Sequence, residues 1–159
     1  MPAQGVSFQK TRPHHIGLVV RDIESAIAHL EALGFGPFRF DEEHRVFAMC
    51  FRGELHGEPA EWVTKISSAR LGEIELELLE PAEGGQALAE ALEARGEGLH
   101  HIGWLTTDLH GDIEQERAKG ARVLTSSLSP GQPGFAYLTY EEVSGLVLEV
   151  REPDIDCLS

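Results

Sequence analysis

His14-His15-Ile16-Gly17 returns letter for letter as His100-His101-Ile102-Gly103, 86 positions further along the chain. The echo runs on at the same offset through Asp22 and Asp108, Ile27 and Ile113, and Gly34 and Gly120, without a gap. Such an ungapped run of matches reads as a duplicated unit, and a duplication constrains the fold before any single element does. A second echo closes each half. Glu77-Leu78-Leu79-Glu80-Pro81 ends the first, and Glu149-Val150-Arg151-Glu152-Pro153 ends the second. Each half therefore opens with a histidine pair and closes with a glutamate, both in β-rich segments.

Working outward, 14–20 reads as a strand bounded by Pro13 and the turn-like Arg21-Asp22. Asp22 is a good N-cap for a helix in which Ile23, Ala26, Ile27, Leu30 and Leu33 recur at helical spacing, and Gly34 stops it. Short strands are expected at 38–40 and 46–51, separated by the charged turn Asp41-Glu42-Glu43-His44. The glycines and proline of 53–59 predict a loop or hairpin tip, followed by strands at 62–69 and 73–79. Pro81 to Gly85 breaks the pattern, and 86–95 is a short amphipathic helix ended by Gly96 and Gly98. The second half repeats the plan: strand 100–106, helix 108–119, strand 121–127, a Pro/Gly loop at 129–134, strand 135–140, a turn at Ser144-Gly145 and strand 146–151. The result is an α+β fold of two tandem βαβββ modules, 13–82 and 99–153, joined by the helix 86–95 within a single domain, 1–159.

Composition narrows the classes of function. A hydrophobic content of 42% is enough for a packed core, and no apolar run approaches the ~20 residues of a membrane-spanning helix. The opening residues, Met1 to Pro13, carry no signal-peptide pattern and read as a loose arm. A formal charge of −14 argues against a nucleic-acid partner and against anionic membranes, both of which are held by Lys and Arg clusters. Cys50 and Cys157 form no disulfide framework or CxxC pair, which suits free thiols, buried or incidental, in a reducing cytoplasm.

Strand parity sorts the histidines and glutamates. Ile16, Leu18 and Val20 form the face that meets a helix, so His15 projects to the other side. Ile102 and Trp104 leave His101 opposite in the same way, and Leu76 with Leu78 leaves Glu77 opposite. Leu146, Leu148 and Val150 do the same for Glu149. All four point away from the helices and can converge if the sheets curl around that face. His29, His44, His56 and His110 have no such partners and read as surface residues, while Glu73 and Glu75 face solvent or the site mouth.

With His14-His15-Ile16-Gly17 and Asp22, Glu77 to Pro81, Gly98 to Gly103, and Gly145 to Glu149, the chain resembles the vicinal oxygen chelate superfamily over residues 13–153, nearest its glyoxalase and methylmalonyl-CoA epimerase-like branch. The resemblance implies a U-shaped, partly open barrel around one divalent cation held by His15, Glu77, His101 and Glu149. Two imidazoles and two carboxylates suit Zn, Co, Ni, Mn or Fe and can leave positions open for a substrate. It further implies a homodimer acting on a small molecule. The reaction would be an isomerisation, epimerisation or lyase step in which a proton α to a carbonyl is removed from an acyl thioester, a 2-oxo acid or a thiohemiacetal. Glu149 would be the base and Glu77 the fallback. Two departures stand out. The stretch Val63 to Ser68 lacks the second carboxylate that some epimerases carry, and 51–62 looks long. A strongly acidic chain is also an odd host for coenzyme A phosphates unless Lys65, Arg70 and Arg122 gather at the mouth. Phe47, Trp62, Tyr137 and Tyr140 are candidates for pocket walls or for core packing. An extradiol-type Fe(II) dioxygenase and a metal-free binding or resistance protein are the alternatives. A fourth protein ligand speaks against the first, and retention of the quartet speaks against the second.

Overall fold

The computed structural model describes residues 9–143 and 145–154. The first half runs β1 (His15–Val19), α1 (Ile23–Ala32), β2 (Phe47–Leu55), β3 (Glu58–Leu71) and β4 (Ile74–Glu83). After α2 (Ala87–Arg95), the second half runs β5 (Gly98–Leu105), α3 (Leu109–Ala118), β6 (Arg122–Ser127), β7 (Phe135–Thr139) and β8 (Val147–Arg151). The eight strands form one ring, in the order β1-β4-β3-β2-β6-β7-β8-β5. Within each half the outer strands pair in parallel, β1 with β4 and β5 with β8, and every other pairing is antiparallel. Two seams join the halves. One is β1 with β5; the other, β2 with β6, has only the pairs Gly53↔Ser127, Glu54↔Ser126 and Leu55↔Thr125. No helix among the described residues is long and apolar enough to cross a membrane.

Packing follows the alternation of the strands. On the outside of the ring α1 buries Ile23 and Ile27 against Val20, Phe38, Ala69, Leu76 and Leu78. Each fully buried isoleucine contributes about 1.5–3 kcal/mol through burial. On the other side α3 sits over Trp104, Ala136, Leu138, Leu148 and Val150. A third cluster lies inside, where α2 brings Ala87 and Leu88 against Val19, Leu79, Trp62, Phe135 and Tyr137. The inner face of the ring thus keeps the polar residues that the helices do not need.

Three local expectations change. Residues 38–40 form no strand but touch the sheet through one bridge, Arg39↔Ser68. Asp41 Oδ1 accepts from the backbone N–H of Glu43 and His44, at 2.9 and 2.6 Å, and this local capping turns the chain before a ladder can grow. The segment 53–59, expected as a loop or hairpin tip, is a hairpin, and its strands run further into it than expected. His56 and Gly57 both have positive φ (50° and 81°), the conformation of a tight two-residue turn, so β2 and β3 run almost to its tip. Gly53 is there for proximity rather than flexibility: a Cβ would meet the Ser126 carbonyl of β6. Finally, β4 continues through Pro81 to Glu83. Past Leu79 it has no β1 neighbour to demand the missing N–H, and an irregularity opposite Val63/Thr64 takes up the register. Cys50 is exposed on the outer side of β2, the incidental alternative, while Cys157 and Ser144 lie outside the described residues.

Candidate metal centre

His15 on β1, Glu77 on β4, His101 on β5 and Glu149 on β8 come together inside the ring, all buried, each offering a donor atom within 4.8 Å of the others. These are the four residues singled out by parity. The β1–β5 seam explains the approach of the histidines. Its register sets His15 opposite Gly103 and Gly17 opposite His101. A Cβ on Gly17 would fall inside the His101 imidazole, and one on Gly103 inside the His15 imidazole. The glycine of each His-His-Ile-Gly motif is therefore the seat of the other motif's ring.

The distances test whether a cation suits this group. Ligand atoms about 2.0–2.2 Å from a first-row divalent ion stand roughly 2.8–3.5 Å from their neighbours in the shell. His15 Nε2 lies 3.2 Å from His101 Nε2, and His101 Nε2 lies 3.0 Å from Glu149 Oε2. His15 Nε2 is 2.5 Å from the same oxygen, the spacing of a direct charged hydrogen bond. The group fits a divalent cation with small adjustments. An imidazole that turns its Nε2 lone pair to a cation carries its proton on Nδ1. The partners for that proton are present twice over: His15 Nδ1 lies 3.0 Å from His14 Nδ1, and His101 Nδ1 lies 2.8 Å from His100 Nδ1. His14 and His100 must then be neutral acceptors. Burial, with Arg151 and His15 nearby, lowers the His14 pKa to about 4, and burial, with His101 and Arg95, lowers that of His100 to about 3. By strand parity His14 shares the helix side with Ile16, Leu18 and Val20, and parity alone gives no sign that the first histidine of each pair orients the second.

Electrostatics bind the group together. Burial alone would raise the Glu149 pKa, but the charges and hydrogen bonds of His15 and His101 outweigh it and hold the carboxyl well below its ordinary range. Burial opposes the charged form of His15, yet Glu149 and Glu77 raise its pKa. Tyr137 packs its ring 4.9 Å from that of His101, and its phenol is held neutral by burial and by the two carboxylates.

A cavity of about 500 Å³ opens onto Glu77 and Glu149. One wall is aromatic: Phe51 stacks on Trp62 at 5.7 Å and meets Phe135 edge-on at 5.5 Å. Trp62 and Tyr137 serve as both lining and core, whereas Phe47 does not line the cavity but stacks on Phe40, which does, and Tyr140 sits under α3. Gln86 occupies the α2 N-cap position but its side chain turns inward, accepting from Thr64 Oγ1 at 2.7 Å and donating to the Val63 carbonyl at 3.0 Å. Neither Gln86 nor Arg151 was singled out from sequence, although Arg151 stands two residues beyond Glu149 and so on its face. Lys65 pairs with Glu80 at 3.3 Å, Arg70 donates to the Gly72 carbonyl, and neither they nor Arg122 line the cavity. His29, His44, His56 and His110 are on the surface, Glu73 is exposed, and Glu75 lies at the cavity mouth.

The sequence model of the Glyoxalase/Bleomycin resistance protein/Dioxygenase superfamily matches residues 14–139. The uncharacterized protein YqjC of Bacillus subtilis (strain 168) is 26% identical over 148 residues, covering 91% of this chain and 94% of that protein. Among solved structures, a variant of Streptomyces coelicolor methylmalonyl-CoA epimerase in complex with 2-nitronate-propionyl-CoA aligns with a TM-score of 0.63 at 24% identity, covering 94% of this chain and 97% of that one. Mycobacterium tuberculosis methylmalonyl-CoA epimerase aligns with a TM-score of 0.61 at 18% identity, covering 99% and 96%. At these identities the solved structures speak for the fold alone. The match to the family model, on a chain whose doubled βαβββ ring gathers His15, Glu77, His101 and Glu149, shows that this protein belongs to the glyoxalase/bleomycin resistance/dioxygenase family, the vicinal oxygen chelate superfamily.

Proposed function

We propose that this protein is a divalent-metal-dependent isomerase, epimerase or lyase that removes a proton α to a carbonyl of a small substrate. The observation that carries this reading is the convergence of His15, Glu77, His101 and Glu149 on one buried point at the wall of a cavity of about 500 Å³. In this reading the four side chains hold Zn, Co, Ni, Mn or Fe, a donor set of intermediate hardness. When bound, the cation supplies Lewis-acid stabilisation of the negative charge that develops on the carbonyl oxygen as the proton leaves. The protein's own groups do the rest. His14 and His100 hold the two imidazoles in the tautomer that turns Nε2 inward. The Phe51, Trp62 and Phe135 wall keeps water from the reacting carbon. Glu149 keeps Oε2 between the imidazoles, and we assign its Oε1 to accept the proton, with Glu77 as the alternative base.

The absence of a carboxylate in Val63 to Ser68 favours a single base that takes a proton and returns it. A ring-cleaving dioxygenase needs more open positions than four protein ligands leave, and a metal-free binding protein has no use for a buried charged quartet. The assembly is taken as a homodimer in the cytoplasm, which light scattering and fractionation would test. The decisive experiment is deuterium wash-in at the α-carbon of a panel of 2-oxo acids and acyl thioesters, followed by NMR with and without added metal. Metal-dependent exchange that is lost in Glu149→Gln supports the assignment. Exchange that is indifferent to both metal and the substitution removes it.

A further inference from the structure

Arg151 is the single cation among the described residues that line the cavity, where it faces Asp41, Glu75, Glu77, Glu149 and Asp154. Its own bonds are poor. Nη1 lies 3.5 Å from Glu77 Oε2, Nη2 lies 3.4 Å from His14 Nδ1, and Nε is buried with no partner. A guanidinium has five N–H donors, and leaving them under-used inside a protein is costly. The side chain keeps 19% of its surface open. A guanidinium keeps its charge inside proteins, and the carboxylates of Glu77, Glu149, Glu75 and Asp154 share its cavity. A forked donor beside the catalytic group, open to a cavity, matches one partner best: a carboxylate that engages both Nη atoms.

The rest of the lining completes the selection. Beyond Arg151 one wall is aromatic and apolar, through Phe51, Trp62, Phe135 and Leu88, and the polar side chains Thr64, Gln86, Thr125 and Gln132 that share the lining carry no charge. At the mouth, Glu75, Asp41 and Asp154 form an acidic rim that holds no lysine among the described residues. One anionic group can be neutralised at Arg151, whereas a second anion at the rim would meet like charge.

Resting on the reading above, we propose that the substrate is a small free monocarboxylic acid with an apolar tail, its carboxylate held by Arg151, and that the acidic rim excludes coenzyme A thioesters. Calorimetric titration of the metal-loaded protein tests this with three probes: 4-methyl-2-oxopentanoate, its methyl ester and acetyl-coenzyme A. The acid binds the wild type at least about tenfold more tightly than either other probe. Arg151→Met abolishes the preference of acid over ester, while Arg151→Lys restores part of it. Equal binding of the acid by folded wild type and Arg151→Met overturns the proposal, as does tighter binding of acetyl-coenzyme A than of the acid. Should Arg151→Met fail to fold, Glu75→Gln with Asp154→Asn provides the second arm: affinity for acetyl-coenzyme A rises roughly fivefold or more if the rim repels it, and an unchanged value overturns that part. The two readings fail separately. Metal-dependent exchange on acyl thioesters but not on free acids sinks this proposal and leaves the reaction class standing. Arg151-dependent acid binding without exchange on any probe does the reverse.

Discussion

Helices α1 and α3 occupy equivalent places in the two halves, yet they are attached to the ring by different chemistry. Helix α1 buries Ile23 and Ile27 in an apolar seam with Phe38 and Leu78. Helix α3 buries Leu109 but also Asp112 and Glu116, while Ile113, the counterpart of Ile27, is only partly covered. Asp112 accepts from Thr106 Oγ1, and Glu116 accepts from Tyr140, from Lys10 at 2.7 Å and from Lys119 at 3.1 Å. The inner face diverges far less: both halves present a His-His pair, a glycine seat and a strand-borne glutamate. Attachment of a helix can be met by any well-packed solution, apolar or polar. A site that requires donor atoms a few ångströms apart admits few.

The largest effect should separate the two glutamates. Glu149 touches both imidazoles, whereas Glu77 stands to one side with Arg151. Glu149→Gln should lower exchange by about 10²–10⁴-fold, the usual range for loss of a positioned base. Glu77→Gln should mainly weaken metal affinity, by roughly 10–100-fold. Equal kinetic losses with equal metal content would erase the distinction.

Next in size is the α1 seam. Ile27→Ala should cost about 2–5 kcal/mol, with little dependence on pH, in denaturant melts. A loss well under 1 kcal/mol would mean that the apolar attachment is not what holds α1.

The seats come third. Gly17→Ala should disturb His101, and Gly103→Ala should disturb His15, each lowering metal affinity roughly 10–100-fold against a competing chelator. NMR of the imidazole nitrogens decides the assignment, since the histidine that shifts must belong to the opposite half.

The smallest effect concerns α3. Burial would raise the Glu116 pKa, but Lys10, Tyr140 and Lys119 hold it below its ordinary value. A carboxyl lowered in the folded state adds stability above its unfolded pKa and loses it as pH falls through the folded one. Glu116→Gln should therefore cost roughly 1–3 kcal/mol at pH 7, a difference that shrinks below about pH 4. A cost independent of pH would assign the effect to packing instead.

What could be read from the chain tracks the same contrast. The quartet was legible because a strand has a period of two, and Ile16, Leu76, Ile102 and Leu148 mark the helix side unambiguously. A hairpin tip at 53–59 was legible too, but the reach of β2 and β3 into it was not, because Gly53 and Pro59 look like breakers when one of them serves close approach of β6 and the other lies where β3 has only one neighbour. Gln86 left no signal, since an N-cap position usually keeps its side chain for the helix. Arg151 did leave one: it shares the face of Glu149, but only the folded ring shows that it is the lone cation among the described residues at the cavity.

The crossed pairing of His15 with Gly103 and of Gly17 with His101 ties each position to a letter in the other copy. Once the repeats had fused, neither could drift alone. A descendant that gave up the imidazole at 101 would release position 17 from having to be glycine, and loss of the imidazole at 15 would release 103. Across divergent sequences these substitutions should therefore travel as two couples, 15 with 103 and 17 with 101, and a sequence without either imidazole should no longer require either glycine.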